Sequence, residues 1–317
     1  MVTTEKKSIE KREIIIIGSG PAGLSAALYA ARADLSPIVL TGMTLHGQAS
    51  VTDTIENYPG FPEGIGGTEL GQLFQTQAER FGAEVVMDQV TSVDLKKRPF
   101  LVETYGTQFE ANAIIICTGA DHRKLNIPGE KSFTGRGVSY CGTCDGWFFK
   151  DKEIVVVGGG DSALEEGLFL TRFAKSVTII HRRDELRAGA ILQKRAFGNP
   201  KIHFIWDTIV TEIIGNDKVN AVKLENVKSK EGSIHKTEGV FIFIGHTPNS
   251  DLFAGQLPLD ENGYLIVNNI METSLPGVFA AGEVADPDFR QVITSAGMGA
   301  AAAIQATRYL DELDEKE

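Results

Sequence analysis

Cys141 and Cys144 are separated by two residues in the stretch SYCGTCDGWFF, with Asp145 directly behind the second sulfur. Three kinds of chemistry use such a pair. A disulfide can staple a fold, two thiolates can form half of a metal site, and two bridging sulfurs can open and close in turnover. The chain has only one other cysteine, Cys117, in the stretch ICTGA, which reads as a buried strand end. A zinc site needs a second pair of ligands, and no closely spaced histidine pair supplies one, so no metal is expected. Three cysteines in 317 residues are not a secreted disulfide framework either. Redox exchange is the reading that remains. Asp145 could relay a proton as the bridge opens, and CDGWFF, read as the start of a helix, would favour a thiolate on Cys144. Cys117 reads as a small buried residue.

A repeat at long period frames the pair. Residues 13–24 read EIIIIGSGPAGL and residues 153–164 read EIVVVGGGDSAL, an offset of 140. Gly18 maps to Gly158, Gly20 to Gly160 and Gly23 to Ala163, and the apolar runs 37–40 and 177–180 fall in register as following strands. Each copy is therefore a strand–turn–helix–strand unit with the pattern of a dinucleotide site. The first glycine makes the turn, the second admits a pyrophosphate to backbone N–H groups, and the third small residue seats the helix on the strand.

The second strand of such a unit normally ends in an acid that takes the ribose hydroxyls, and neither copy has one. The first ends in Thr41. The second ends in HRRDELR, with Arg182 and Arg183 where a 2′-phosphate would lie. Guanidinium forks suit a phosphate dianion, so NADPH is favoured there over NADH. The first copy is then expected to hold FAD, which uses the same pyrophosphate turn. Contacts to the rest of a flavin would come from GVFAAGEVADPDFRQVITSAG (277–297), read as a strand Val278–Ala281, Gly282-Glu283, and a helix starting near Arg290–Gln291. That stretch is far from Gly18 in sequence, so the FAD domain is expected to be discontinuous, with the second unit inserted.

The bulk numbers agree with a globular protein of about two domains. Hydrophobic residues make up 42% and charged residues 23% of the chain, and the formal net charge of −11 argues against a nucleic-acid surface. The apolar run Ile14–Ile17 is too short for a signal-peptide core or a membrane span, and a soluble, cytoplasmic protein is expected.

With these motifs placed, the chain resembles the low-molecular-weight thioredoxin reductases, class II flavoproteins of the pyridine nucleotide-disulfide oxidoreductases. The likeness runs through GSGPAGLSAALYAAR (18–32), TGMTLHGQ (41–48), ENYPGFPEGIGGTEL (56–70), QAERFGAE (77–84), ICTGA (116–120), CGTCDG (141–146), GGGDSALEEG (158–167), HRRDELRA (181–188) and IGHTPNS (244–250). The resemblance implies an α/β fold of two Rossmann-like domains of the three-layer ββα type. Residues 1–118 and 249–317 would form the FAD domain, and 119–248 the inserted NADPH domain carrying the Cys pair. It implies a homodimer that passes electrons from NADPH to FAD, to the Cys pair, and on to the disulfide of thioredoxin. Cys144 would be the sulfur beside the flavin, Cys141 the thiol that attacks the partner, and Asp145 the acid/base. FAD would be held by Gly18, Ser19, Gly20, Pro21, Ala22, Gly23, Thr41, Gly42, His46, Gly47, Gln48, Asn57, Gly282, Glu283, Arg290, Gln291 and Val292. NADPH would be held by Gly159, Gly160, Asp161, Ser162, Ala163, His181, Arg182, Arg183 and Arg187.

The chain departs from the family pattern at three places. His46-Gly47-Gln48 stands for the usual Gly-Gly-Gln, Gly142 stands for the Ala after the first Cys, and Glu283 stands for the acid of a Gly-Asp-Val segment. The extra methylene of Glu283 would move its carboxylate toward the ribityl chain. The family moves its Cys pair between flavin and partner by rotating one domain against the other. Thr118–Gly119 and Gly245–Asn249 are the candidate hinges. Arg136 and the Trp147–Phe149 patch are candidates for docking a partner, although an aromatic cluster there reads first as core or flavin-cover packing. Other readings of the same residues are a flavin dithiol reductase for another small protein disulfide, and a nucleotide-binding redox sensor without turnover.

Overall fold

The computed structural model describes residues 9–52 and 54–315; the first eight residues of the charged N-terminal stretch lie outside the described residues. The chain divides into two compact modules. One comprises the residues up to Asp121 and from Thr247 onward, and the other is His122–His246.

The first module is organised on two long strands, β1 (Ile9–Ile17) and β6 (Gln108–Ile116), paired in parallel. Short parallel strands β2 (Ile38–Leu40) and β3 (Glu84–Val86) continue the sheet beyond β1. On its other side β6 has two partners in succession. Its first half pairs antiparallel with β5 (Phe100–Thr104), which pairs in turn with β4 (Val90–Asp94). The apolar run of β1 is buried on both faces, as a covered parallel strand must be. Alternation then divides it: Ile14 and Ile16 face one core cluster, Ile15 and Ile17 the other. The first cluster lies under helix α1 (Pro21–Arg32), with helix α2 (Gly67–Arg80) beside it.

The second module repeats the plan. Short strand β7 (Ala120–His122) carries the chain into it, through helix α3 (Glu130–Phe133), strand β8 (Val138–Ser139) and helix α4 (Gly142–Asp145). Its central strand β9 (Glu153–Gly158) is followed by helix α5 (Asp161–Leu170) and strand β10 (Ser176–Ile180). Helix α6 (Ala190–Phe197) and strand β11 (Ile202–Ile205) follow. An antiparallel meander of β12 (Thr208–Gly215), β13 (Val219–Asn226) and β14 (Gly232–Lys236) then leads to β15 (Gly239–Phe243). The five-stranded sheet runs β11-β10-β9-β15-β8. Ile154 and Val156 face the α5 side, and Val155 and Val157 face the meander. Helices on one face and β-structure on the other make three layers in each module.

Strand β16 (His246–Pro248) returns the chain to the first module, where β17 (Val278–Ala280) pairs with the second half of β6. The chain ends in the long helix α7 (Val292–Asp314), opened by a capping box between Gln291 and Thr294. Small residues let α7 lie directly on α1: a Cβ on Gly299 would stand 2.0 Å from the Ala22 carbonyl oxygen. Gly299→Ala is expected to force the helices apart and cost about 1–3 kcal/mol of stability. Gly297→Ala, in the same helix with nothing within 4 Å of its Cβ position, is expected to be neutral or slightly stabilising. Paired chemical denaturation of the two variants checks the contrast.

Candidate active site

Two glycine turns have the same division of labour. Gly18 turns off β1 with φ +108°, and a Cβ there would stand 2.3 Å from the Cys117 carbonyl oxygen. Gly23 seats α1, since its Cβ would fall 1.9 Å from the Gly18 oxygen. Between them Gly20 is open, with Gly47 Cα the nearest neighbour of its Cβ position at 4.0 Å. In the second module a Cβ on Gly158 (φ +154°) would lie 2.4 Å from the Phe243 carbonyl oxygen. Gly160 is again open, approached only by Arg187 Nη2 at 3.9 Å. Ala163 stands at the third position, and a Cβ on Gly158 would lie 2.7 Å from its methyl. Each turn thus presents bare backbone at a helix N-terminus, shaped for a pyrophosphate.

The first module brings four distant stretches to its turn. The Ser19 hydroxyl accepts the His46 backbone N–H at 3.2 Å. Gly47 crosses Gly20 closely, with its Cβ position 3.0 Å from Gly20 Cα. Asn57 Nδ2 donates to Gln291 Oε1 at 3.1 Å. A Cβ on Gly282 (φ +77°) would meet the Ala22 methyl at 2.8 Å. Thr41 and Gly42 at the end of β2 bond to the Val86 and Asp88 carbonyls, and the Gln48 amide donates to the Ala120 carbonyl and the Asp121 carboxylate. Val292 packs on the Ile55, Ile65 and Leu70 cluster. Pro21 is the first residue of α1, where its missing N–H costs nothing.

Two departures from the family pattern have structural partners. His46 is buried in a left-handed conformation (φ 64°), with its imidazole against Gly71 of α2 and Nε2 2.9 Å from Gln75 Oε1. Its side chain anchors the loop to α2 while its backbone faces the turn. Glu283 is largely buried, and this desolvation pushes its carboxyl up to about 7. Arg290 opposes the shift, and the charges of Asp286 and Asp121 add to it.

Sequence reasoning missed Asp286. Its carboxylate accepts the backbone N–H groups of Asp288, Phe289 and Arg290 at 2.9–3.1 Å, fixing the loop that carries Arg290 and Gln291. The spacing Asp-x-x-x-Arg in ADPDFR has the character of such a side-chain-capped turn, and this was the available signal. Gly71 and Gln75, the partners of His46, had no signal in sequence.

In the second module His181 lies against the backbone of Gly159, whose Cβ position is 2.3 Å from the imidazole. His181 is buried with its Nε2 unpartnered. Burial holds its pKa below the ordinary value; the Glu185 backbone opposes, and the guanidiniums of Arg187, Arg183 and Arg182 push in the same direction as burial. The three arginines therefore surround one corner of the turn. The neighbouring acid Asp184 is held by Lys228 Nζ at 2.8 Å, and among the described residues no ion pair engages the arginines. Asp161 opens α5 and accepts the Gly189 N–H at 2.7 Å, and Ser162 follows it on the same first turn. An exposed, unneutralised guanidinium cluster beside an open glycine turn fits a 2′-phosphorylated dinucleotide.

Cys141 and Cys144 form a disulfide with Cα atoms 5.3 Å apart. The helix begins at Gly142, so Cys141 is its N-cap, and Cys141 Sγ accepts the Cys144 N–H at 3.2 Å. The helix start expected at Cys144 is corrected to Gly142, and in the oxidised pair the Cys144 N–H is donated to Cys141. Thr143 Oγ1 stands 3.4 Å from Cys141 Sγ, and Asp145 closes the turn through its N–H to the Cys141 carbonyl. Of the 147–149 patch only Phe149 is core. These residues form a 3-10 turn in which Phe149 is buried while Trp147 and Phe148 are 56% and 42% exposed. A three-residue turn directs only one side chain in three inward. Cys117 is buried at the end of β6, and burial raises its thiol pKa.

Comparison with known proteins agrees with this geometry. A family model described as pyridine nucleotide-disulphide oxidoreductase matches residues 12–303. The chain belongs to that family. A thioredoxin reductase of Rickettsia felis is 52% identical over 95% of this chain and 98% of its own length. Another from Streptomyces coelicolor is 52% identical over 96% of each chain. The crystal structure of thioredoxin reductase from Streptococcus pyogenes superposes with a TM-score of 0.92 at 46% identity, covering 96% of this chain and all of that one. These matches place the chain in the family's thioredoxin reductase branch, which uses FAD and NADPH. Among the described residues no helix is long and apolar enough to cross a membrane, and no group of three or more metal-ligating side chains occurs.

The buried Glu283 carboxyl gives a test in the flavin-free chain. Its pKa is raised on folding, from about 4.5 to about 7. Its contribution is therefore fully present below pH 4.5 and is lost as pH rises through 7, amounting to about 3 kcal/mol. Glu283→Gln is expected to flatten the stability profile between these limits, read by denaturation at a series of pH values.

Proposed function

We propose that the protein is an NADPH-dependent flavoprotein reductase of thioredoxin, working through the Cys141–Cys144 disulfide. One observation carries the reading: a reducible bridge, capped by a backbone N–H at Cys141, stands in the same module as a glycine turn ringed by Arg182, Arg183 and Arg187. The near full-length likeness to thioredoxin reductases supports the choice of substrate.

Bound FAD would supply the conversion of a hydride equivalent from NADPH into an electron pair for the disulfide. The arginines and Gly159–Ala163 hold the 2′-phosphate and pyrophosphate of NADPH. The Gly18–Gly23 turn, with 41–48, Asn57 and 282–292, holds FAD. On reduction the Cys141–Cys144 bond breaks and the pair takes up protons, with Asp145 as the adjacent donor and acceptor. The Cys141 thiolate then attacks the thioredoxin disulfide and forms a mixed disulfide. Cys144 attacks Cys141 Sγ, restores the bridge and releases reduced thioredoxin. The two chain crossings beside β7 and β16 are the pivots for the movement between these stages. Trp147 and Phe148, exposed next to the pair, offer apolar area to the partner. We further propose a cytoplasmic homodimer, which equilibrium sedimentation tests.

Anaerobic NADPH is expected to bleach the flavin, and added thioredoxin to restore its colour; bleaching without transfer to thioredoxin would overturn the substrate assignment. Replacing Arg182 and Arg183 together with Ala is expected to raise KM for NADPH roughly ten- to hundredfold, from the loss of charge-assisted hydrogen bonds, and to leave KM for NADH unchanged. Equal losses with both nucleotides would remove the 2′-phosphate assignment.

A further inference from the structure

Gly142 and Glu166 meet beneath the redox loop. A Cβ built on Gly142 would stand 2.2 Å from Glu166 Oε2 and 3.4 Å from both Glu166 Cδ and Leu170 Cγ. The carboxyl therefore fills the volume that an alanine methyl would take. Its Oε2 is closed off from solvent. Glu166 and Leu170 lie on consecutive turns of one face of α5, so the helix delivers the carboxyl to the loop's first helical residue with an apolar neighbour at its side. The absence of a side chain at 142 and the presence of an acid at 166 are one arrangement.

We propose that Glu166 is a positioning residue for the disulfide couple: seated at Gly142, its carboxylate holds the reduced pair as thiols rather than thiolate and so keeps the couple strongly reducing. The N–H that caps Cys141 Sγ works in the opposite sense, favouring a thiolate there. A stabilised thiolate makes the reduced state easier to reach and the couple a weaker reductant. An ionised carboxylate at the Gly142 position offsets that tendency, and Glu166 is the carboxyl seated there. Reduction to two thiols consumes two electrons and two protons, whereas reduction to a thiol and a thiolate consumes one proton fewer. Glu166 biases this choice. Other charged and titratable groups around the loop include Asp145 on the loop itself and Lys150, whose ammonium lies 5.4 Å from the Trp147 ring. On the preceding side stand Tyr140 and Glu130, bonded to each other at 2.8 Å. None of these occupies the Gly142 position.

The proposal rests on the redox reading of the Cys pair, and the test separates the two. Holoenzyme is reduced with dithiothreitol, so the result does not depend on electron delivery by NADPH. Alkylation of Cys141 by iodoacetamide is then followed against pH by peptide mass. Glu166→Gln is expected to lower the alkylation midpoint by about one pH unit, roughly a tenfold gain in thiolate below the midpoint. Gly142→Ala should shift it in the same direction, because its methyl displaces the carboxyl, and the double variant should match Glu166→Gln alone. In a glutathione redox buffer the dithiol–disulfide equilibrium of Glu166→Gln should move roughly tenfold toward the dithiol, about 30 mV. An unchanged midpoint in Glu166→Gln overturns the proposal, as do independent, additive shifts in the two single variants. If Glu166→Gln loses its flavin or its fold, Gly142→Ala decides alone: a lowered midpoint supports the proposal and an unmoved one overturns it.

Discussion

Close approach of backbone to backbone is the constraint on which the rest of the first module depends. A dinucleotide pyrophosphate is met by main-chain N–H groups, so strand, turn and helix must come together without side chains between them. Gly18 and Gly23 lie so close that a methyl on either would overlap a carbonyl oxygen. The contact propagates outward. Ala22, held in place by that turn, receives Gly282 on one side and Gly299 of α7 on the other. The C-terminal stretch thereby reaches the N-terminal turn although nearly the whole chain separates them. The second module meets the same demand with Ala163 at the third position, close enough that Gly158 could carry no Cβ.

The same logic of exchanged volume recurs away from the turns. Gly71 leaves room for the His46 imidazole, and Gly142 leaves room for the Glu166 carboxyl. In each case a side chain that is unusual for the family, or missing, is compensated on another element. His46 anchors a loop that presents Gly47 to Gly20. The Glu166 carboxyl fills the Gly142 position, one residue after the Cys141 sulfur that an N–H caps. On the role proposed for Glu166, the redox loop balances one backbone dipole against a carboxylate.

Much of this was legible in the linear sequence because it depends on local rules. Glycine spacing, continuous apolar strands and the 140-residue repeat report backbone requirements that act within one strand–turn–helix unit. The arginines at 182 and 183 follow from register, since the end of the second strand must face the turn. The Cys pair with Asp145 behind it needs no distant partner to be recognised. Other features escaped for equally physical reasons. The direction of the helix cap depends on whether the turn starts at residue 142 or 144, one residue deciding which sulfur accepts the N–H. Trp147 and Phe148 look like core by composition, and only the 3-10 geometry turns them outward.

The sequence by itself set the expectation of two nucleotide-binding units, of a 2′-phosphate site in the second, and of redox work for the Cys pair. Each follows from residues within a few positions of one another, where covalent geometry leaves few alternatives. Only the tertiary structure decided what lies against them. It placed Asp286 under the Arg290 loop, buried Glu283 enough to bring its carboxyl near neutrality, and set Glu166 against Gly142. Burial and charge depend on which distant segment fills a given volume, and spacing along the chain carries no record of that.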